Sequence, residues 1–258
     1  MPIHPTAIVD PSARIADSAD IGPYSIVGAG VEVGARTRLM AHLYIEGPTS
    51  IGEDNIFYPY STVGVASQDL KYRGERAETR IGSRNKIREF VTIHRGTEGG
   101  GLLTSIGDDN LLMAYVHVAH DARISSHTVL GNGVNVGGHV TVGEWAIVGA
   151  LSGIHQFCRI GRHAMIGGGS VVTQDVMPFS MTVNERDVKT FGANLTGLER
   201  RGFPEATRNA LRKAFRLLTH AGLNTSQALE RIRAEIPASP ELDELLNFIE
   251  SSPRGVVK

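Results

Sequence analysis

The sequence is short of several things, and each shortage excludes a class of protein. One cysteine in 258 residues, Cys158, rules out an intrachain disulfide framework and an all-cysteine metal site, and suits a reducing cytosol. Charge of either sign is not in excess. Lys plus Arg is 26 and Asp plus Glu is 27, a net charge of −1, so no concentrated positive surface is expected for nucleic acid or anionic membrane. No apolar run approaches the roughly 20 residues that span a bilayer. The N-terminal MPIHPTAIVDPSARIADSADIG has no basic stretch followed by an apolar one, so no signal peptide is expected. Aromatics are only 6% of the chain, whereas glycine, at 30 residues, is well above the usual ~7%.

The glycines follow a repeat of six. From Ile3, steps of six land on Val9, Ile15, Ile21, Val27, Val33, Leu39, Ile45, Ile51, Phe57 and Val63. The same phase returns at Ile81, Ile87 and Ile93. A shifted phase runs from Ile106 through Leu112, Val118, Ile124, Leu130, Val136, Val142, Val148, Ile154, Ile160 and Ile166 to Val172. The fourth residue after these positions is generally small, as in Ala122, Thr128, Ala146, Ser152, Cys158, Ala164 and Ser170. Glycine often follows the large residue directly, as in Ile21-Gly22 and Val136-Gly137.

A period of six suits neither a helix nor a simple strand. It suits short extended segments joined by corners that glycine can turn at positive φ, three of them closing a triangular coil of 18 residues. Coils stacked about 4.8 Å apart as parallel strands would form a hexapeptide β-helix with a narrow prism core. Cys158 falls on the small inward ladder and reads as core, not nucleophile. Residues 64–80 and 94–105 interrupt the repeat and are polar, so they read as loops on the functional face. The expected organisation is a β-helix over 1–185 and a small helical domain over 186–258, with helix starts at Pro204-Glu205, Asn224 and Ser239-Pro240.

Eighteen-residue coils turn spacing into geometry. His120, Gly138 and Gln156 stack in one column, with His139, His155 and His117 beside it. A neutral imidazole can take a proton from a hydroxyl near neutral pH, which makes His120 the natural general base. Asp121 is adjacent, although successive strand residues point to opposite faces, which would turn its side chain away. Gly138 suggests close approach of backbone to a ligand, with its N–H free for an oxyanion.

The strings VGVASQDLKYRGE, IREFVTIHRGT, LLMAYVHVAHD, GGHVTVG, IHQFCRIG and GLERRGF resemble the UDP-N-acetylglucosamine 3-O-acyltransferases of lipid A biosynthesis over essentially the whole chain. The resemblance implies a left-handed coil and a cytoplasmic homotrimer with active sites between subunits. It implies transfer of an (R)-3-hydroxyacyl group from acyl carrier protein to the glucosamine 3-hydroxyl, with no cofactor beyond the phosphopantetheine of the donor, and no metal. It further implies His120 as catalytic base, Asp121 as the acid beside it and the Gly138 backbone as oxyanion donor. Gln68, Asp69 and Lys71 match the loop that meets substrate. His94, His117, His139, His155 and Gln156 match residues around the sugar and pantetheine, and Asn194, Arg200 and Arg201 the nucleotide end. Gly168 matches the position that limits acyl length, and glycine there implies a chain of the myristoyl class. Thr196 and the segment Val183–Asp187 depart from the family pattern. Two other enzymes remain as alternatives. One is an acetyl-CoA-dependent sugar acetyltransferase; the other is a zinc lyase like γ-type carbonic anhydrase, which the histidines permit but without matching three-histidine spacing.

Overall fold

A computed structural model of the chain describes residues 3–183 and 189–257. Most of it is a parallel β-helix, its strands two to five residues long and sorted among the described residues into sheets of nine, eight and ten strands. Register partners lie 18 residues apart, as in Ile8 with Ile26 and Val118 with Val136. The two interruptions lengthen single coils: Ile51 pairs with Ile81, and Ile81 with Ile106. Both insertions leave the prism with only a local register shift, where Val65 pairs with His94, and their ends rejoin the same sheets.

From Ile21 to Val172 every large residue of the repeat is buried. Phe57, fully buried, occupies one level of the ladder. The first coil is looser, with Ile3 39% exposed. A second ladder runs inside one corner: Asn55 Oδ1 accepts from Asn85 N, Asn85 Oδ1 from Asn110 N, and Asn110 Oδ1 from Thr128 N. These asparagines stand at positions expected to be merely small, and they satisfy turn amides that would otherwise be buried unpaired.

The corners are not turned by glycine as expected. The positive-φ residue is usually a bulky one, as at Tyr24, Arg36, His42, Tyr60, Phe90, Asp121, His139 and Trp145. Each such residue costs roughly 1–2 kcal/mol of backbone strain, offset at the aromatic positions by stacking along the corner. Tyr24, His42, Tyr60, Phe90 and Tyr115 form one outer column with centroids 4.9–5.1 Å apart, close to the coil rise. Glycine after the large residue answers a different constraint. A Cβ on Gly22 would lie 1.3 Å from the Met40 carbonyl oxygen, so the backbone of the next coil occupies the space.

The C-terminal end is closed by the chain itself. Ser180–Val183 pairs antiparallel with Lys189–Ala193, and Val256 bridges back to Asp175, burying Val257 in the prism. Helices α1 (Leu195–Arg200), α2 (Glu205–Thr219), α3 (Thr225–Glu235) and α4 (Pro240–Glu250) share a second core with Met177 and Phe179. Asn224 caps α3 in a full capping box, and Ser239 caps α4 with Pro240 in its first turn. No described helix is long and apolar enough to cross a membrane. The departure noted at Val183–Asp187 lies outside the described residues beyond Val183.

Candidate active site

The corner after the nine-stranded sheet carries, on successive coils, Asp121, His139 and Phe157 at positive φ. The two inserted loops lie over it. Together they form a cleft of about 460 Å³ lined by Gln68, Asp69, Leu70, Lys71, His94, His117, Ala119, His120, His139, Gln156 and Phe157.

Asp121 turns back toward its neighbour, contrary to the strand alternation, because its left-handed φ of 59° places it in a turn. His120 Nδ1 and Asp121 Oδ2 are 2.8 Å apart, and the Asp121 side chain is 1% exposed. Thr97 donates its N–H to Asp121 Oδ1 at 2.8 Å and its hydroxyl to Oδ2 at 2.6 Å. Asp121 N donates to Thr104 Oγ1 at 2.7 Å. As an ionised carboxylate it only accepts, so His120 donates Nδ1–H and leaves Nε2 as a free acceptor toward the cleft. The assignment of the tautomer follows from this network. A Cβ on Gly138 would lie 2.6 Å from His120 Cε1 and Nε2, so glycine there makes room for the ring. Among the described residues the Gly138 N–H has no hydrogen-bond partner.

The other titratable groups are tuned by burial. His94 is pushed down to about 4, by desolvation first and then by His117 and His120. His117 is lowered by burial and by His120, and its Nδ1 lies 2.7 Å from Thr92 Oγ1. Burial also lowers His139, against the opposing pull of Asp121. These three rings are therefore neutral at pH 7, when they can donate and accept without adding charge. The Lys71 N–H, donating at 2.9 Å, holds the Asp69 carboxyl below its usual range, and the Lys71 charge adds to this. Donor atoms of His120, Asp121 and His139 lie within 4.8 Å of one another, a spacing a metal ion could bridge. However, both Asp121 oxygens already receive hydrogens from Thr97, and one also from His120, so the carboxylate is committed to hydrogen bonds within the chain.

Not every expected site residue reaches this cleft. His155 is exposed, with Nδ1 3.4 Å from an Arg254 guanidinium nitrogen. Asn194 caps α1, accepting from Gly197 N and donating to the His163 carbonyl. Arg201 lies 3.8 Å over the Trp145 ring, where burial lowers its guanidinium, and Arg200 is exposed at the end of α1. Gly168 follows the ten-stranded sheet, on a different corner from His120. Thr97, Thr104 and Phe157, whose ring stacks on His139 at 4.3 Å, were not singled out from sequence. Cys158 is fully buried and its thiol is pushed up by desolvation, which leaves it inert.

Comparison with known proteins decides the family. The pattern described as "Udp N-acetylglucosamine O-acyltransferase; Domain 2" matches residues 175–257, and that of the bacterial transferase hexapeptide matches residues 103–138. An acyl-[acyl-carrier-protein]–UDP-N-acetylglucosamine O-acyltransferase of Thermodesulfovibrio yellowstonii is 46% identical over 256 residues, 99% of each chain. The chain belongs to the UDP-N-acetylglucosamine O-acyltransferase family. A Stenotrophomonas maltophilia member of that family is 44% identical, covering 99% of this chain and 97% of its own. The structure of LpxA from Acinetobacter baumannii superposes with a TM-score of 0.96 at 44% identity, with both chains fully covered. Membership in this acyltransferase family thus extends over the coil, both inserted loops and the helical tail.

Proposed function

We propose that the chain transfers an (R)-3-hydroxyacyl group from the phosphopantetheine thioester of acyl carrier protein to the 3-hydroxyl of UDP-N-acetylglucosamine, the first step of lipid A biosynthesis, in the cytoplasm. The observation that carries this reading is the buried Asp121 carboxylate holding His120 by Nδ1, with Nε2 left facing a polar cleft, in a chain of this family. His120 Nε2 takes the proton of the sugar hydroxyl as that oxygen attacks the thioester carbonyl. The Gly138 N–H donates to the oxyanion of the tetrahedral intermediate. Collapse breaks the carbon–sulfur bond, and the imidazolium returns its proton to the departing pantetheine thiolate. Asp121 keeps the imidazole oriented and stabilises its charged form. No covalent enzyme intermediate and no metal take part.

Gln68, Asp69 and Lys71 on the first inserted loop hold the sugar, while the neutral His94, His117 and His139 and Gln156 line its path and that of the pantetheine. His155, Asn194, Arg200, Arg201 and Gly168 lie outside this cleft in one chain; a homotrimer in which neighbouring subunits share each site would bring them to the nucleotide and the acyl tail. Arginine forks suit the diphosphate. Gly168, without a side chain, leaves room for an acyl chain of the myristoyl class.

Replacing His120 tests the mechanism. His120→Ala should leave the oligomer intact and lower turnover at least ~100-fold; near-normal turnover would contradict the assignment of the base.

A further inference from the structure

We propose that Thr97 is a positioning residue for this transfer, its hydroxyl and backbone N–H fixing the Asp121 carboxylate against His120 Nδ1. The inference rests on the reading of His120 as base. Thr97 lies at the start of the second inserted loop and is 5% exposed. It is the one residue that contacts both Asp121 oxygens with hydrogen-bond donors among the described residues. Its own backbone is pinned, since its carbonyl accepts from Gly100 N at 3.1 Å and from Leu102 N at 2.8 Å. Gly100 packs directly on the carboxylate, for a Cβ there would sit 1.9 Å from Asp121 Cγ. The neighbouring Glu98 N–H reaches Glu75 Oε1 at 3.1 Å, which ties the second loop to the first.

This clasp settles a competition at one oxygen. Asp121 Oδ2 lies 2.8 Å from His120 Nδ1 and 3.8 Å from His139 Nε2, so either ring is within its field. Two Thr97 donors define the plane and direction of the carboxylate, and that direction favours His120. The threonine hydroxyl has no alternative role here: an ionised carboxylate offers no hydrogen, so the hydroxyl must donate. On the following coils the same corner position carries His139 and Phe157, with no inserted loop of their own above them. The insertion thus supplies a pair of donors that the regular repeat cannot.

Thr97→Val removes the hydroxyl and keeps the shape and the N–H, while Thr97→Ser keeps the hydroxyl. For Thr97→Val, kcat should fall roughly 10- to 50-fold, in the range expected when a supporting hydrogen bond to a reacting group is lost, with KM for the sugar nucleotide nearly unchanged. The acid limb of its kcat/KM profile should move to higher pH, because protons then compete better for the carboxylate and the working state is lost sooner on acidification. His139, His117, His94, Asp69 and Lys71 also face the pair, but they are the same in both variants, so the difference between valine and serine isolates the hydroxyl. Thr97→Ser should stay within about threefold of the parent. Thr97→Ala gives the same reading if valine is not accommodated. Parental kcat and pH profile in Thr97→Val would overturn the inference, as would an equal loss in Thr97→Ser with the profile unmoved. His120→Ala, measured alongside, separates the two levels: if it alone abolishes turnover, only the role of Thr97 fails; if it retains turnover, the reading of the base fails first.

Discussion

Two corners of the same prism are built alike and behave differently. One presents Arg36, Asp54, Arg84 and Asp109 at positive φ on successive coils, the other Asp121, His139 and Phe157. In the first, Arg36 Nε meets Asp54 Oδ1 at 2.7 Å and Arg84 meets Asp109 at 2.8 Å, with both arginine side chains more than half exposed. In the second, Asp121 makes contacts of the same length while 1% exposed. Water screens the first column to near-irrelevance, since exposed ion pairs contribute little. In the second, the loops shield Asp121 from water although Phe157 remains half exposed, so the hydrogen bonds of that one carboxylate direct its charge. Backbone geometry is therefore common property of the solenoid. The polar cleft forms where the insertions cover one corner.

Variants can break or sharpen that contrast. Below the loss expected of His120→Ala, the largest effect should come from Gly138→Ala, whose added Cβ would sit 2.6 Å from the His120 ring. Turnover should drop roughly tenfold or more from displacement of the base, with the melting temperature little changed, because Gly138 does not need positive φ. Unchanged kcat would mean that His120 is not held where its ring appears. Gly168→Met should shift preference several-fold toward shorter acyl donors; a competition assay with unchanged selectivity would remove Gly168 from acyl-length control.

Buried histidines give a pH-dependent stability that the exposed ion pairs of Arg36 and Arg84 lack. His94 and His163 are both lowered to about 4 by burial, so the unfolded chain binds their protons first as pH falls from about 6.5. Stability from keeping them neutral is complete above that pH and is lost progressively toward pH 4. His163→Phe should flatten the decline in thermal midpoint over this window, and an unaltered slope would contradict the assignment. Smallest of all, Arg84→Ala should leave activity intact and move the midpoint by no more than about 2 °C.

The hexads from Ile21 to Val172 announced the prism because each repeat faces the same steric problem. The column of His120, Gly138 and Gln156 was equally legible, since an 18-residue period fixes which side chains share a corner, although His155 stands outside the cleft. What the corners are made of was not. Glycine at Gly22 or Gly137 signals close approach of the next coil, whereas positive φ falls to residues such as Tyr24 and Asp121, and no single-residue preference marks them. The orientation of Asp121 was hidden for the same reason, as strand alternation does not hold at a turn. Thr97 was invisible because its partner lies 24 residues away across a coil, inside an insertion that breaks the repeat. Asn194 is a different case: within one chain its side chain caps α1, a role that its sequence context does not announce.

The most direct test of the whole account is mass spectrometry of the product. The protein would be supplied with competing (R)-3-hydroxyacyl carrier-protein donors of different length, acetyl-CoA, UDP-N-acetylglucosamine and its 3-amino counterpart. The account predicts UDP-N-acetylglucosamine heavier by one long 3-hydroxyacyl group, bound as an ester, with a donor of the myristoyl class preferred. An acetylated sugar nucleotide, or no acylated product from any carrier-protein donor, would contradict it.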